Sequence, residues 1–162
     1  MMGTRSGDLD PSVAASLAAI TGQYGANMSN LLNTQSGFLG VSGISSDNRD
    51  IEAAAKEGNE RAQLVHDMFC YQIHNYIGGY AAAMNGLDCV VFTGGIGENS
   101  PLVRADVCSN MEFFGMSIDE TKNLKRGEEV DFSTADAKVR TLVIPTDEEL
   151  MIARDAAELV GG

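Results

Sequence analysis

Apolar residues recur at helical spacing over most of this chain, which predicts a helix-rich fold. Asp10 and Pro11 read as the N-cap and first position of a helix over residues 13–20, with Gly22 as its stop. A short helix over 28–33 carries Met28, Leu31 and Leu32. Residues 37–43 (GFLGVSG) read as a loop or a short extended piece. Ser46 and Asp47 start a helix through residue 55, which Gly58 interrupts. Residues 59–84 form the longest helical pattern, with Leu64, Met68, Tyr71, Ile73, Ile77 and Tyr80 near one stripe. Gly78 and Gly79 cost helix propensity there. Close packing against a neighbouring element would offset that cost; a kink is the alternative.

Two runs leave the helical period and read as strands, residues 89–92 (CVVF) and 139–144 (VRTLVI), the second of them buried. Residues 128–133 read as a short edge strand in preference to a solvated loop, so the sheet is thin. Phe113 to Met116 is a short apolar piece, and residues 119–123 a turn or a helical turn. Thr146 and Glu149 make a capping box for a last helix over 148–160. Helices interleaved with a few strands place the chain in the α/β class.

The segment DCVVFTGGIGENSP, residues 88–101, carries the most chemical information. A strand runs into a glycine loop, and Ser100 with Pro101 then starts a helix over 102–110. That layout brings backbone N–H groups close to a phosphate, and glycine allows the approach a side chain would block. The Lys-Ser/Thr of a P-loop is absent. Gly95 and Gly97 fit the first two glycines of a dinucleotide fingerprint, but Ser100 stands in place of the third. A tight strand-to-helix turn without ligand is the plain alternative.

Composition narrows the choice. The chain has 162 residues, for which one domain is the natural count. Its 44% hydrophobic content suffices for a core and is too high for a disordered chain. A net charge of −12 argues against a nucleic-acid partner, and an acidic protein that binds a nucleotide must concentrate cations or a metal at the site. The cysteines Cys70, Cys89 and Cys108 form no zinc pattern, and their odd count suits a reducing cytoplasm. The N-terminus reads as no signal peptide, and no apolar run reaches the ~18 residues of a membrane span. His66 and His74 lack metal-pair spacing and read as packing residues, and the eight methionines read as core filler.

The string FTGGIGENS resembles the adenosine-binding loop of the acetate and propionate kinase family, within the actin-like, sugar-kinase and Hsp70-like superfamily. MMGTRSGDLDP resembles the signature that opens the family's catalytic half, and VIPTDEELMIARD the segment that places a metal-binding glutamate. GISSDNRDIEAA resembles a nucleotide-contacting segment with an Asp-x-Arg core, although the family more often has a bulky apolar residue where Asn48 stands. These matches run in family order over nearly the whole chain.

The resemblance implies a partial ribonuclease-H-like (actin-like ATPase) domain, helix-rich with a small sheet. It implies that residues 1–162 are the C-terminal nucleotide-binding and catalytic portion, with the N-terminal acyl-binding domain absent. It assigns Arg5 as the transition-state arginine and Glu148 as the Mg²⁺ ligand, with Glu149 a capping residue. Asp47, Asn48 and Arg49 would lie near purine and ribose, and Gly95, Ile96, Gly97, Glu98 and Asn99 over the adenosine and α-phosphate. Taken without the resemblance, Arg5 is a surface arginine in a flexible polar turn, and residues 147–149 simply suit a helix N-terminus.

The implied reaction is Mg²⁺-dependent, reversible transfer of the ATP γ-phosphoryl group to acetate by a cytoplasmic homodimer whose contacts lie largely in this portion. The acyl pocket, a second transition-state histidine, an arginine for the carboxylate and an asparagine near Mg²⁺ all belong upstream. Two alternatives stand beside it: a non-catalytic nucleotide-binding and dimerisation fragment, and a portion of a propionate kinase. An NAD-binding domain is the remote option.

Overall fold

Side chains of Asp10, Asp47, Asn59, Ser100 and Asp119 cap helix starts in the computed structural model, which describes residues 1–161; Gly162 lies outside them. Where the length predicts one domain, the chain falls into two compact units, Met1–Gly79 and Tyr80–Gly162.

The first unit begins with α1 (Pro11–Thr21), whose N-cap Asp10 accepts from the Ser12 N–H at 2.7 Å and whose C-cap Gly22 is left-handed at φ 68°. Helix α2 (Ala26–Thr34) follows as predicted. Residues 37–43 are neither loop nor extended: Gly37–Ser42 forms a third helix, α3, closed by Gly43 at φ 69°. The reason is tertiary. The first-turn N–H groups of Phe38 and Leu39 donate to the Met2 and Gly3 carbonyls at 2.8 and 3.0 Å, so the N-terminal segment satisfies groups that a short helix leaves open. Helix α4 (Asn48–Lys56) starts at the N-cap Asp47. The Asn59 side chain then caps α5 (Glu60–Met84) through the Arg61 and Ala62 N–H groups.

Phe38, Ile51, Ala62 and Val65 are buried at the centre of this unit, with Phe38 packed edge-on against Phe69 at 5.1 Å. The inward face of α5 is Ala62, Val65, His66 and Cys70, whereas Leu64, Met68, Tyr71 and Tyr80 of the sequence-read stripe are exposed. Spacing by threes and fours fits both faces, and the smaller side chains take the inside. Gly78 and Gly79 gain no close packing, since a Cβ at either would meet nothing within 4 Å.

The second unit holds a three-stranded sheet ordered β1-β3-β2. Strand β1 (Cys89–Phe92) runs parallel to β3 (Arg140–Val143), with Phe92 opposite Val143. Strand β2 (Val130–Asp131) is the antiparallel edge. Between β1 and β2 lie α6 (Gly94–Asn99), α7 (Pro101–Cys108), a 3-10 turn over Glu112–Phe114 and α8 (Glu120–Asn123). Phe92, Val103, Val107, Met116, Phe132, Val139 and Val143 form the core. Burial pushes the Cys108 thiol up to about 12, which makes it a packing side chain rather than a nucleophile.

Arg104 on α7 is fully buried and organises this unit. Its Nε donates to Asn123 Oδ1 at 2.8 Å, its Nη1 to the Gly97 and Glu98 carbonyls at 2.9 and 2.8 Å, and its Nη2 to the Asn123 and Lys125 carbonyls. All five guanidinium donors are used, on oxygens at the ends of α6 and α8 where helix dipoles are negative. The Phe132 ring lies 5.7 Å beneath it.

Helix α9 (Glu148–Val160) closes the chain with no buried residue. The capping box does not form: the N-cap is Asp147, held at φ 49° with no side-chain cap bond, and Thr146 bonds elsewhere. No helix among the described residues is long and apolar enough to cross a membrane.

Arg104→Met leaves buried acceptors unpaired, each costing about 1–3 kcal/mol, so urea unfolding monitored by circular dichroism should show a loss of at least ~3 kcal/mol. Arg140→Ala, which removes the half-exposed ion pair to Asp131, should cost less than ~1 kcal/mol in the same assay. Gly37→Ala places a Cβ 2.0 Å from the Met2 carbonyl oxygen at a residue with φ 60°. It should release the N-terminal segment and speed amide exchange at Phe38 and Leu39; unchanged protection there would contradict the packing described.

Candidate functional site

In the first unit the segment around Arg5 is not a loose turn. Besides the Met2 and Gly3 bonds to α3, the Ser6 N–H donates to the Leu32 carbonyl at 2.9 Å and the Ser36 N–H to the Thr4 carbonyl at 2.8 Å. A Cβ at Gly3 would stand 2.8 Å from the Ser46 carbonyl oxygen, and one at Gly37 would stand 2.6 Å from that of Arg5. The backbone is therefore anchored while the Arg5 side chain is exposed. Gly3 also brings this segment against Ser46, next to Asp47. Asp8, beyond it, accepts from the Tyr76 hydroxyl.

Asp47 accepts from the Arg49 N–H at 2.8 Å, so it caps α4. Arg49 folds back on it, with Nε 3.0 Å from Oδ1 and Nη2 2.5 Å from Oδ2. The side-chain bond from Arg49, followed by its backbone bond, holds the Asp47 carboxyl down at about 2. A depressed folded value means that the pairing contributes fully above about pH 4, the usual carboxylate range, and is lost as pH falls through about 2. Asn48 donates to Glu52 Oε1 at 2.6 Å.

In the second unit the glycine segment is a short helix, α6, rather than an open loop. Gly94 takes φ 69°, which turns the chain out of β1, and a Cβ at Gly97 would lie 3.2 Å from the Phe92 carbonyl carbon. Asn99 Nδ2 donates to the Gly95 carbonyl at 2.9 Å. Ser100 caps α7 by accepting from the Val103 N–H at 3.1 Å, with Pro101 at the first position, as the sequence predicts. The Glu98 carboxylate is engaged: its Oε1 accepts from the Gly94 N–H at 2.8 Å, the Thr146 N–H at 3.1 Å and the Thr146 hydroxyl at 3.4 Å.

Parallel neighbours β1 and β3 end together, with Phe92 opposite Val143. Helix α6 leaves the carboxyl end of β1, and the Thr146–Asp147 turn leaves that of β3. In open α/β sheets, ligands bind outside these ends. Glu148 is the first residue of α9 and is exposed; its carboxylate makes no hydrogen bond or ion pair among the described residues. It is a hard, unengaged oxygen donor at a helix start, of the kind that would suit one Mg²⁺ ligand.

Sequence reading missed Arg104 and Thr146 as supports of this site. A signal for Arg104 exists, because it shares the i, i+3, i+4 face of Val107 and Cys108 and so falls on the buried side of α7. Thr146 gave none, because its partner is 48 positions away.

Known proteins share this outline. The chain is 52% identical over 160 residues to an acetate kinase of Carboxydothermus hydrogenoformans, covering 99% of this chain and 40% of that protein. A crystal structure of Porphyromonas gingivalis acetate kinase superposes with a TM-score of 0.91 at 53% identity, over 96% of this chain and 39% of that one. A propionate kinase structure from Francisella tularensis gives 0.85 at 37% identity, over 94% and 39%. The chain thus spans about 40% of the length of the curated relatives it matches. Its helix-rich α/β architecture with a three-stranded sheet is shared with acetate kinase structures, whose fold is actin-like. The Acetokinase family matches residues 1–154, and the chain belongs to that family.

Proposed function

We propose that this chain is the C-terminal, nucleotide-side catalytic portion of a kinase that transfers the γ-phosphoryl group of ATP reversibly to acetate. The carrying observation is the family match over residues 1–154, which includes every segment named above. A carboxylate oxygen of acetate attacks the γ-phosphorus, the bond to the β,γ-bridging oxygen breaks, and ADP leaves. Such a reaction needs placement and charge neutralisation more than covalent chemistry.

Arg5 neutralises the transferring group in this reading: its guanidinium is exposed on an anchored backbone, and a planar fork suits phosphoryl oxygens. Asp47, Asn48 and Arg49 form the nucleoside-facing start of α4, and Gly95, Ile96, Gly97 and Asn99 the phosphate- and adenosine-facing positions of α6, where the Glu98 carboxylate is taken up by Gly94 and Thr146. Glu148 would hold Mg²⁺, which when bound would neutralise charge on the phosphates. Curated relatives at 52% and 54% identity are acetate kinases, which supports acetate as the acceptor.

A second reading, a non-catalytic nucleotide-binding and dimerisation module, is favoured by one observation. Helix α9 exposes Met151, Ile152, Leu159 and Val160, and α5 exposes Leu64, Met68 and Tyr71, so these apolar side chains lack cover among the described residues. A homodimer partner or the acyl-binding portion would cover them.

Hydroxylamine trapping of acetyl phosphate, with MgATP and acetate, separates the two readings. Product is expected when the acyl-binding portion of a relative is supplied in trans; absence of product under that condition, with ADP still bound, would favour the binding module. In the reconstituted enzyme, Arg5→Ala should lower turnover by about 10³-fold or more, in line with arginines that stabilise phosphoryl transfer. ADP affinity should stay within a few-fold, and unchanged turnover would remove Arg5 from its role.

A further inference from the structure

Glu98 lies within the helix assigned to the nucleotide, yet its carboxylate is bonded within the protein. One oxygen accepts three donors: the Gly94 N–H that opens α6 at 2.8 Å, and the Thr146 N–H and hydroxyl at 3.1 and 3.4 Å. Glu98 and Thr146 are 48 residues apart in the chain, and the segments they belong to leave neighbouring parallel strands. A carboxylate over the first turn of α6 is also favoured by the helix dipole.

The Thr146 end of this link leads directly to the candidate metal ligand. Asp147 separates Thr146 from Glu148 and adopts φ 49°, ψ 44°, a left-handed conformation that L-residues adopt at a cost. Asp147 has no side-chain cap bond to hold it there, and α9 buries none of its residues. The placement of Glu148 therefore depends on the turn before it, and the bonds from Thr146 to Glu98 tie that turn to α6.

We propose that Glu98 is a positioning residue that straps the glycine-rich helix to the turn bearing Glu148, so that nucleotide and Mg²⁺ bind cooperatively, and that it does not itself contact the nucleotide. This rests on the nucleotide and metal roles proposed above. A ligand that orders α6 also orders the Thr146 turn through a shared carboxylate, and by linkage the metal then favours the nucleotide by the same factor.

The test is calorimetric ADP binding to the full chain, with and without Mg²⁺, for the wild type, Glu98→Gln, Glu98→Ala and Thr146→Val. In Glu98→Ala, ADP affinity without metal should stay within about threefold while the Mg²⁺-dependent tightening falls at least about fivefold, the lower range of measured couplings. Glu98→Gln keeps an acceptor oxygen at the same reach and should retain most of the coupling. Thr146→Val removes one donor and should lose part of the coupling, which keeps the test decisive should Glu98→Ala fold poorly. Amide exchange at Thr146 should quicken in Glu98→Ala.

Equal loss of ADP affinity with and without Mg²⁺ would make Glu98 a direct nucleotide contact and overturn the strap. Loss in Glu98→Gln as large as in Glu98→Ala would assign the effect to charge and overturn it too. A wild-type chain that binds no ADP would instead overturn the nucleotide reading itself, and the strap with it.

Discussion

A single buried cation holds the second unit together. Arg104 brings five donors into the core and meets five oxygens, four of them backbone carbonyls. A charge taken out of water is tolerable only when every donor finds a partner, and here the partners are the negative ends of two short helices. Neither α6, with 6 residues, nor α8, with 4, is long enough to be stable alone. The guanidinium replaces the water that their last carbonyls would otherwise need. It thereby fixes where the glycine-rich helix ends, and Asn123 completes the arrangement by donating to the Pro101 carbonyl at 2.8 Å.

The placement of the site groups depends on that clamp and on the parallel pairing of β1 and β3. Phe92 lies opposite Val143, and the Ile144 N–H donates to the Phe92 carbonyl at 3.0 Å, so the chain leaves both strands at one level. On one side Gly94 turns into α6; on the other the chain passes through Thr146 and Asp147 into α9. Glu98 spans the gap. The carboxyl ends of β1 and β3 therefore lie side by side, the place where open α/β sheets bind ligands.

The first unit solves a related problem with backbone bonds instead of a buried charge. Its N-terminal segment has no regular structure, but carbonyls of Met2, Gly3 and Thr4 accept from N–H groups at the start of α3 and just before it. Glycines at 3 and 37 permit the approach, since any side chain there would collide with a carbonyl. The outcome is a rigid backbone with an exposed arginine, suited to a group that must present charge without moving far. Asp47 and Arg49 lie just beyond Ser46, locked to each other.

Local chemistry determined what could be read directly from the sequence. The caps at Asp10, Asp47 and Ser100, the stops at Gly22 and Gly58, the long helix and the strands at 89–92 and 139–144 all depend on neighbours within a few positions, so their signals survive in one dimension. The family motifs are likewise contiguous strings. Tertiary structure decided the rest. Helix α3 exists because Met2 and Gly3 supply its acceptors, and the inward face of α5 was chosen by fit between two equally periodic stripes. Thr146 deserted its capping box for Glu98, and Arg104 went inside because distant carbonyls awaited it. In each case the deciding partner comes from another part of the chain, and no local preference of a residue encodes where that partner will be.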